Sequence, residues 1–465
     1  MQLGDILDDV TLDVATGRIE ISHVDSDSRA CVPGSLFFAM PGSSTSGLTF
    51  VNDAIANGAL CVVASERVHV SVPVVVVPAT QLRAQLAHAS ASVVGHPESR
   101  SSLVGVTGTN GKTSVTSLVA ALARGVAWNG ANIGTLTNER TTPAAPELFR
   151  TLASLVETFD PAIHHSVVAM EVSSHAIDQQ RIEGLRFTVA AFTNLSHEHL
   201  DYHGSMEAYF NAKAALFTNE HAQRAVICTD DQYGKRLAAS TALPVTRVSR
   251  ADATDVETSL KGTTFFWRNH LVNSPLVGDY NVDNALTAMT VMSVLGADDQ
   301  AITAAMGEVP PIPGRFEVVR GPSVTVIVDY AHTPEALRRL LLDVRTFVPD
   351  GRIITVFGCG GDRDRAKRPE MGSVAALNSN VTIITSDNPR SESPDAIIDE
   401  IMSGIPRGVE VHRTPDRRNA IAQALVSASL GDVVVIAGKG HETTQTIGDL
   451  AVPFNDRDVA LELMG

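Results

Sequence analysis

Gly105-Val-Thr-Gly-Thr-Asn-Gly-Lys-Thr113 joins a short strand-like run, Ser102-Leu103-Val104, to a helix-like run, Ser114 to Ala123. A glycine-rich turn between strand and helix leaves backbone N–H groups bare. The helix start adds the positive end of a dipole, so the turn is an anion site. Gly108, Thr109, Asn110 and Gly111 would wrap phosphate oxygens. Lys112 can reach the terminal phosphates of a nucleotide, and the Thr113 hydroxyl can hold Mg²⁺. The common phosphate loop carries Gly five residues before the Gly of its Gly-Lys pair. Val106 stands there instead, which makes Gly108-Thr-Asn-Gly-Lys-Thr113 a shorter and rarer form.

The surrounding chain has 465 residues, a length that suggests about three domains. With 44% hydrophobic and 19% charged residues it is ordinary globular material with ample core. A net charge of −16 argues against a nucleic-acid-binding surface or a polybasic membrane patch. Anionic ligands would then need local Lys and Arg. No stretch approaches the length of a membrane span. The opening, Met1-Gln-Leu-Gly-Asp-Ile-Leu-Asp-Asp9, lacks the basic and apolar regions of a signal peptide. Cys31, Cys61, Cys228 and Cys359 are scattered and form no Cys-x-x-Cys pair. A cytoplasmic protein with reduced thiols and no membrane insertion is expected.

Working outward, Gly95-His96-Pro97 and Pro310-Pro311-Ile312-Pro313-Gly314 are candidate linkers. They predict domains over 1–98, 99–312 and 313–465. The first has β-like runs at Gly34–Met40, Ala59–Ala64 and Val72–Val77, with helix-like stretches Val51–Asn57 and Gln81–Val94 among them. The second alternates strands with helices to about residue 308. The third alternates again: strands Val324–Val328, Arg352–Phe357, Val381–Thr385 and Asp432–Ala437, and helices Thr333–Phe347, Arg368–Leu377 and Pro394–Met402. This alternation predicts an α/β fold with mostly parallel sheets covered on both faces.

Ligands of such sheets bind beyond the carboxyl ends of the strands. In the middle segment one strand ends in the phosphate loop. Ser166–Met170 runs into Glu171-Val-Ser-Ser-His175, and Phe187–Phe192 into Thr193-Asn-Leu-Ser-His-Glu-His-Leu-Asp-Tyr-His203. A carboxylate and imidazoles facing a phosphate loop suit a Mg²⁺–nucleotide site. The last segment's strands end in Asp329-Tyr-Ala-His-Thr-Pro334, Gly358-Cys-Gly-Gly-Asp-Arg363, Asp387-Asn-Pro-Arg390 and Gly438-Lys-Gly-His-Glu442. Both charge signs on one rim suit a zwitterionic substrate such as an amino acid. A competing reading takes His197-x-His199-x-Asp201-x-His203 as a zinc site of a hydrolase. It supplies no fourth-ligand pattern and leaves Lys112 without a role.

Together these blocks resemble the Mur ligases, ATP-dependent enzymes that build the peptide of bacterial cell-wall precursors. Within the family the pattern most resembles the MurE type, whose members extend UDP-N-acetylmuramoyl-L-alanyl-D-glutamate. Further matching blocks are Ala212-Lys213, Asn281-Val-Asp-Asn284 and Gly314-Arg315, and the collinear match covers about residues 25 to 457. Glu198 and Arg140 depart from the usual Asp and Asn. The loop Gly42-Ser-Ser-Thr-Ser-Gly47-Leu48 lacks a His often found there.

The resemblance implies an N-terminal UDP-sugar domain, a central phosphate-loop ATPase domain and a C-terminal Rossmann-like domain. It implies catalytic roles for Lys112, Glu171, His199 and Lys213. Thr113 and Glu171 would hold one Mg²⁺, and His199 with a CO₂-derived carbamate on Lys213 a second. Asn284, Arg315 and Asp329 would contact ATP, with His332 near its phosphates. Ser28 and Arg29 would lie near the uridine diphosphate. Thr141, Thr142, Ser173, Gln179 and Arg181 would meet the muramoyl-dipeptide. Asp387, Asn388, Pro389, Arg390 and Gly438 would bind the acceptor amino acid, with Arg363 on a carboxylate and Glu442 on an ammonium.

In the family, Arg at position 390 accompanies meso-diaminopimelate as acceptor. A guanidinium can clamp that acceptor's second carboxylate bidentately. The expected reaction is amide formation through an acyl phosphate, by a monomer. Rivals are an L-lysine-adding ligase, a folylpolyglutamate synthase-like ligase, the zinc hydrolase and a catalytically silent nucleotide-binding protein.

Overall fold

A computed structural model of the chain describes residues 1–465, apart from 8, 9, 43, 44, 139 and 323 and the side chain of Asp201. Two residues of the Gly42–Gly47 loop therefore lie outside the described residues. The chain forms two compact units, Met1–Ser249 with Leu286–Ile302, and Arg250–Ala285 with Thr303–Gly465.

The first unit contains two parallel sheets. Strands β1 (His23–Asp25), β2 (Ser35–Phe38), β3 (Ala59–Ala64) and β4 (Val74–Val76) lie in chain order. The second sheet holds β5 (Ser102–Thr107), β6 (Asn129–Ile133), β7 (Ser166–Glu171), β8 (Phe187–Phe192), β9 (Ala222–Cys228) and β10 (Val245–Val248). Its order is β10-β9-β8-β5-β7-β6, parallel throughout. Strand order reverses at β5, so the crevice beyond its carboxyl end is the natural ligand position. The register pairs Val106 with Glu171 and Thr107 with Phe192, which brings the ends of β5, β7 and β8 to one edge.

One apolar core runs through both sheets. Leu36, Phe38 and Val63 belong to the same buried cluster as Leu82 and Leu86 of helix Leu82–Val93 and Leu148, Phe149 and Leu152 of helix Ala145–Glu157. That continuity follows from the helix Ala145–Glu157, whose apolar positions recur at three- and four-residue spacing and turn one face inward.

The second unit begins with a departure from the expected alternation. Residues 253–274 form an antiparallel sheet of β11 (Ala253–Ser259), β12 (Gly262–Trp267) and β13 (His270–Ser274). Arg268 and Asn269, both at positive φ, make a two-residue connection from β12 to β13. Such a turn matches strand twist and allows no helix between the strands.

The remaining strands are β14 (Glu317–Arg320), β15 (Thr325–Asp329), β16 (Ile353–Phe357), β17 (Val381–Ile384), β18 (Val411–Arg413) and β19 (Val433–Ala437), with a hairpin of β20 (Thr444–Ile447) and β21 (Leu450–Pro453). The six-stranded order is β14-β15-β19-β16-β17-β18, with only β14 antiparallel. Alternate residues serve opposite faces. Ile327, Ile353, Val433 and Val435 pack under helices Pro334–Phe347, Lys367–Asn378 and Pro394–Met402. Val326, Ile354, Val434 and Ile436 pack under Arg417–Ser427 and Asp456–Met464. Among the described residues no helix is long and apolar enough to cross a membrane.

Candidate active site

The loop after β5 is held open by backbone geometry and by the end of β8. Gly108 has φ +151°, and a Cβ there would run into Thr193 Oγ1. Gly111, at φ +87°, precedes the helix Lys112–Gly125. Asn194 accepts the Thr109 N–H on its carbonyl (2.9 Å) and the Asn110 N–H on its Oδ1 (3.0 Å). Thr193 Oγ1 donates to Asn110 O at 2.6 Å, and Thr109 Oγ1 accepts the Ser196 N–H at 3.0 Å. The Lys112 ammonium donates to the carbonyls of Gly108 (2.9 Å) and Thr109 (2.8 Å).

Glu171, at the end of β7, is 1% exposed. Its Oε2 accepts from the Thr113 hydroxyl at 3.0 Å, and its Oε1 from the Thr135 N–H at 2.8 Å. The carboxylate is thus buried but satisfied, with its oxygens at the first turn of the phosphate-loop helix. Its carbonyl accepts from Thr142 Oγ1 at 2.8 Å. Thr142 Oγ1 also accepts the Ser173 N–H at 3.1 Å. Arg181 donates to Thr142 O at 2.9 Å and, through two nitrogens, to Gln179 Oε1. Thr141 Oγ1 accepts from Thr135 Oγ1 at 3.3 Å. Thr142, Ser173, Gln179 and Arg181, four of the five residues expected to meet one substrate, therefore form one hydrogen-bonded group beside Glu171, and Thr141 is tied to it through Thr135.

Lys213 lies on helix Met206–Ala214 and is 1% exposed. By itself in sequence it reads as a solvated lysine. In the fold its Nζ donates to Gly108 O at 2.8 Å and sits 4.6 Å from the Tyr209 ring centre. Burial, reinforced by Lys112, lowers its pKa well below the usual lysine value, with Glu198 opposing. His199 has φ +55°, a left-handed backbone uncommon outside glycine. Its side chain is still 44% exposed. Desolvation, with Lys112, His175 and Lys213 adding to it, brings its pKa down to about 4. The imidazole is then neutral at pH 7 with a lone pair to offer. A buried carboxylate bonded to a hydroxyl at the start of a phosphate-loop helix fits a divalent-cation site.

The candidate zinc run comprises His197, His199, Asp201 and His203. The His203 ring pairs with Ser174 Oγ at 2.9 Å, and the Asp201 side chain lies outside the described residues. Among the described residues no three His, Cys, Asp or Glu side chains form a metal-binding group. Ser28 is buried in the turn Ser28–Ala30, where its carbonyl accepts from Asn57 Nδ2 at 2.9 Å. Arg29 is exposed and paired with Asp27 at 2.6 Å.

In the second unit, Asp329 closes β15. Its Oδ2 accepts from Tyr280 OH (2.9 Å) and the Phe316 N–H (2.7 Å), and its Oδ1 accepts the Ala331 N–H at 2.8 Å. Burial raises the pKa of both Asp329 and Tyr280. The Arg315 guanidinium lies 4.5 Å from the Tyr330 ring centre. His332 Nδ1 meets Tyr330 O at 3.0 Å, and Asn284 donates to Asn281 Oδ1 at 3.1 Å.

The ends of β16, β17 and β19 form a second group. Arg390 has φ +50° and donates to Gly361 O at 2.7 Å. Asn388 donates to Glu442 Oε2 at 2.7 Å. Gly438, at φ +110°, would place a Cβ 2.8 Å from Asp387 Oδ2. Arg363 is exposed on the loop after β16. Lys439 was not singled out from sequence, yet it is buried here and paired with Glu442 at 2.7 Å. The signal available was its place inside Gly438-Lys-Gly-His-Glu442.

Three family domains match this chain in order. They are described as Mur ligase family, catalytic domain (residues 20–109), Mur ligase middle domain (106–292) and Mur ligase, glutamate ligase domain (314–440). The chain belongs to the Mur ligase family. A relative from Gloeobacter violaceus, named UDP-N-acetylmuramoyl-L-alanyl-D-glutamate–2,6-diaminopimelate ligase, is 44% identical over 96% of this chain and 94% of its own length. A Geobacillus kaustophilus protein of the same name is 41% identical over 96% and 95%. A solved structure, also of a ligase of that name, is 32% identical with a TM-score of 0.69, covering 100% of this chain and 98% of that one. A Mur ligase of a different type from Thermotoga maritima, MurF in complex with ADP, shares the fold at 17% identity, with a TM-score of 0.66 over 96% and 97% of the chains.

Proposed function

We propose that this Mur ligase adds meso-2,6-diaminopimelate to the D-glutamyl γ-carboxylate of UDP-N-acetylmuramoyl-L-alanyl-D-glutamate, with ATP converted to ADP and phosphate. The observation that carries the reading is the phosphate loop bonded through Thr113 to buried Glu171, in a chain 44% identical to a relative of that name. Arg390 at the end of β17 supports diaminopimelate over lysine, because only the former brings a second carboxylate for a guanidinium.

A carboxylate does not acylate an amine at neutral pH without activation. The γ-carboxylate oxygen attacks the ATP γ-phosphorus, the bond from that phosphorus to the β–γ bridging oxygen breaks, and ADP departs, giving an acyl phosphate. The diaminopimelate amine attacks the acyl carbon, loses a proton, and inorganic phosphate departs. Lys112 offsets the repulsion between the two anions of the first step. The N–H groups of Thr109 and Asn110 are taken by Asn194, so those of Gly111, Lys112 and Thr113 at the helix start would hold the phosphate oxygens. Mg²⁺ held by Thr113 and Glu171, and by His199 with Lys213, would supply further positive charge at those oxygens. A depressed, buried amine is the form that adds CO₂, which supports a carbamate on Lys213 and turns a nitrogen into an oxygen ligand.

In this reading residues 1–98 carry the UDP end of the substrate through Ser28 and Arg29. Thr141, Thr142, Ser173, Gln179 and Arg181 meet its dipeptide. Residues 99–312 carry the phosphates. Residues 313–465 carry the acceptor through Arg363, Asp387, Asn388, Pro389, Arg390, Gly438 and Glu442. Asn284, Arg315, Asp329 and His332 serve ATP. The enzyme works as a cytoplasmic monomer. The test is phosphate release from ATP and the UDP-muramoyl-dipeptide, with diaminopimelate and lysine compared as acceptors. Release with diaminopimelate and little with lysine is expected; no release with either ends the reading.

A further inference from the structure

Lys439 directly follows Gly438 beyond β19, and its side chain is 0% exposed. Its ammonium has three N–H groups, and three acceptors meet them. They are Glu442 Oε2 at 2.7 Å, Thr444 O at 2.8 Å and Asn388 Oδ1 at 3.2 Å. A cation this enclosed persists only when paired and fully hydrogen-bonded, as here. Two of its three partners belong to residues proposed above to meet the acceptor amino acid.

The consequences for those two residues are geometric. Asn388 Oδ1 also accepts the Thr446 N–H at 2.9 Å. Two donors converging on one atom fix that atom as oxygen. The amide's Nδ2 is then turned towards Glu442 Oε2, where it donates at 2.7 Å. Glu442 Oε2 thus receives two N–H donors, from Asn388 and Lys439. Among the described residues, no hydrogen bond reaches Glu442 Oε1. One carboxylate oxygen is pinned and the other is presented.

We propose that Lys439 is a positioning residue for the acceptor amino acid, orienting the Asn388 amide and the Glu442 carboxylate so that Glu442 Oε1 receives the acceptor's ammonium. This rests on the acceptor site assigned under the proposed function. Lys439 itself touches no substrate. It also balances the Glu442 charge, so the ammonium is recognised by direction more than by net field.

Lys439→Met keeps the side-chain length and removes the donors. The KM for diaminopimelate should rise about tenfold or more, while the KM for ATP moves by less than about twofold. In a Glu442→Gln background the same substitution should add little, because both act through one network. Equal changes for the two substrates, or full additivity with Glu442→Gln, would overturn the proposal. Should Lys439→Met fail to fold, Asn388→Asp keeps the Lys439 pairing but puts an acceptor oxygen against Glu442 Oε2. That variant must also raise the diaminopimelate KM selectively, and an unchanged value counts against the network. Wild-type protein that releases no phosphate with diaminopimelate would sink the ligase reading itself. An active wild type with an unaffected Lys439→Met variant would sink only the positioning role.

Discussion

Lys213 has an ordinary helical context, yet its amine ends inside the protein against Gly108 O. Lys213→Ala removes the amine proposed above to carry the carbamate. Turnover should fall by roughly 10²-fold or more, the scale seen when a preorganised charge-stabilising group is lost. A short carboxylic acid added to the assay should restore part of the rate by supplying the missing oxygens. An Ala variant with the normal rate would end the carbamate idea. Arg390 makes a different prediction. Its hydrogen bond to Gly361 O aims the guanidinium, and its left-handed backbone is a strained position of the kind found at functional sites. Arg390→Ala should erode the preference for diaminopimelate over lysine by about ten- to a hundredfold, the worth of one charge-assisted pair. Competition between the two acceptors measures it, and unchanged selectivity would remove the clamp. The place of Arg390 at the end of a compact polar block could be read from the residues alone. The role expected of Lys213 came only through the family resemblance, and its burial could not be read, because burial is a property of the neighbours that surround it.

Helices and strands add constraints that single residues lack. Helix Pro334–Phe347 carries Asp343, which accepts the Asp279 N–H at 3.1 Å at the start of helix Asp279–Val294. Burial brings the Asp343 carboxyl up to about 6, with Asp279 and Asp283 adding to the effect and Arg339 opposing it. Its folded pKa thus lies above the ordinary carboxylate value, and protonation favours the folded state. The group opposes folding above about pH 6, and that opposition fades as the pH falls towards 4. Asp343→Asn should therefore raise the melting temperature at pH 7.5 and give a smaller gain at pH 5. Thermal melts at the two values check it, and an equal or reversed gain would refute it. At this scale the doubly covered C-terminal sheet was readable from the spacing of apolar runs. The antiparallel sheet β11–β13 was not, because its turn at Arg268 and Asn269 lacks the glycine that usually advertises such a connection.

The first compact unit joins two sheets through one core. Helix Leu82–Val93 supplies buried Leu82 and Leu86 to the same cluster as Leu148, Phe149 and Leu152. Arg150 adds a polar tie, donating to Asp25 Oδ2 at 2.9 Å and Val24 O at 3.0 Å. Residues 99–465 expressed alone would therefore expose apolar side chains that each contribute about 1.5–3 kcal/mol when buried. The truncated chain should melt well below the full chain or aggregate, as judged by calorimetry and gel filtration. A truncated chain that is monodisperse and melts at the full-length temperature would contradict a shared core.

The order of residues along the chain fixed the phosphate loop, the polar strand ends and the parallel alternation, because each depends on neighbours within a few positions. Glycine placement, strand period and the Lys-Thr pair act locally and can be read in one dimension. Contacts between distant segments decided the rest. Desolvation of Lys213, neutrality of His199, the Asn388 orientation and the enclosure of Lys439 arise only when segments remote in the chain close around one group and exclude water.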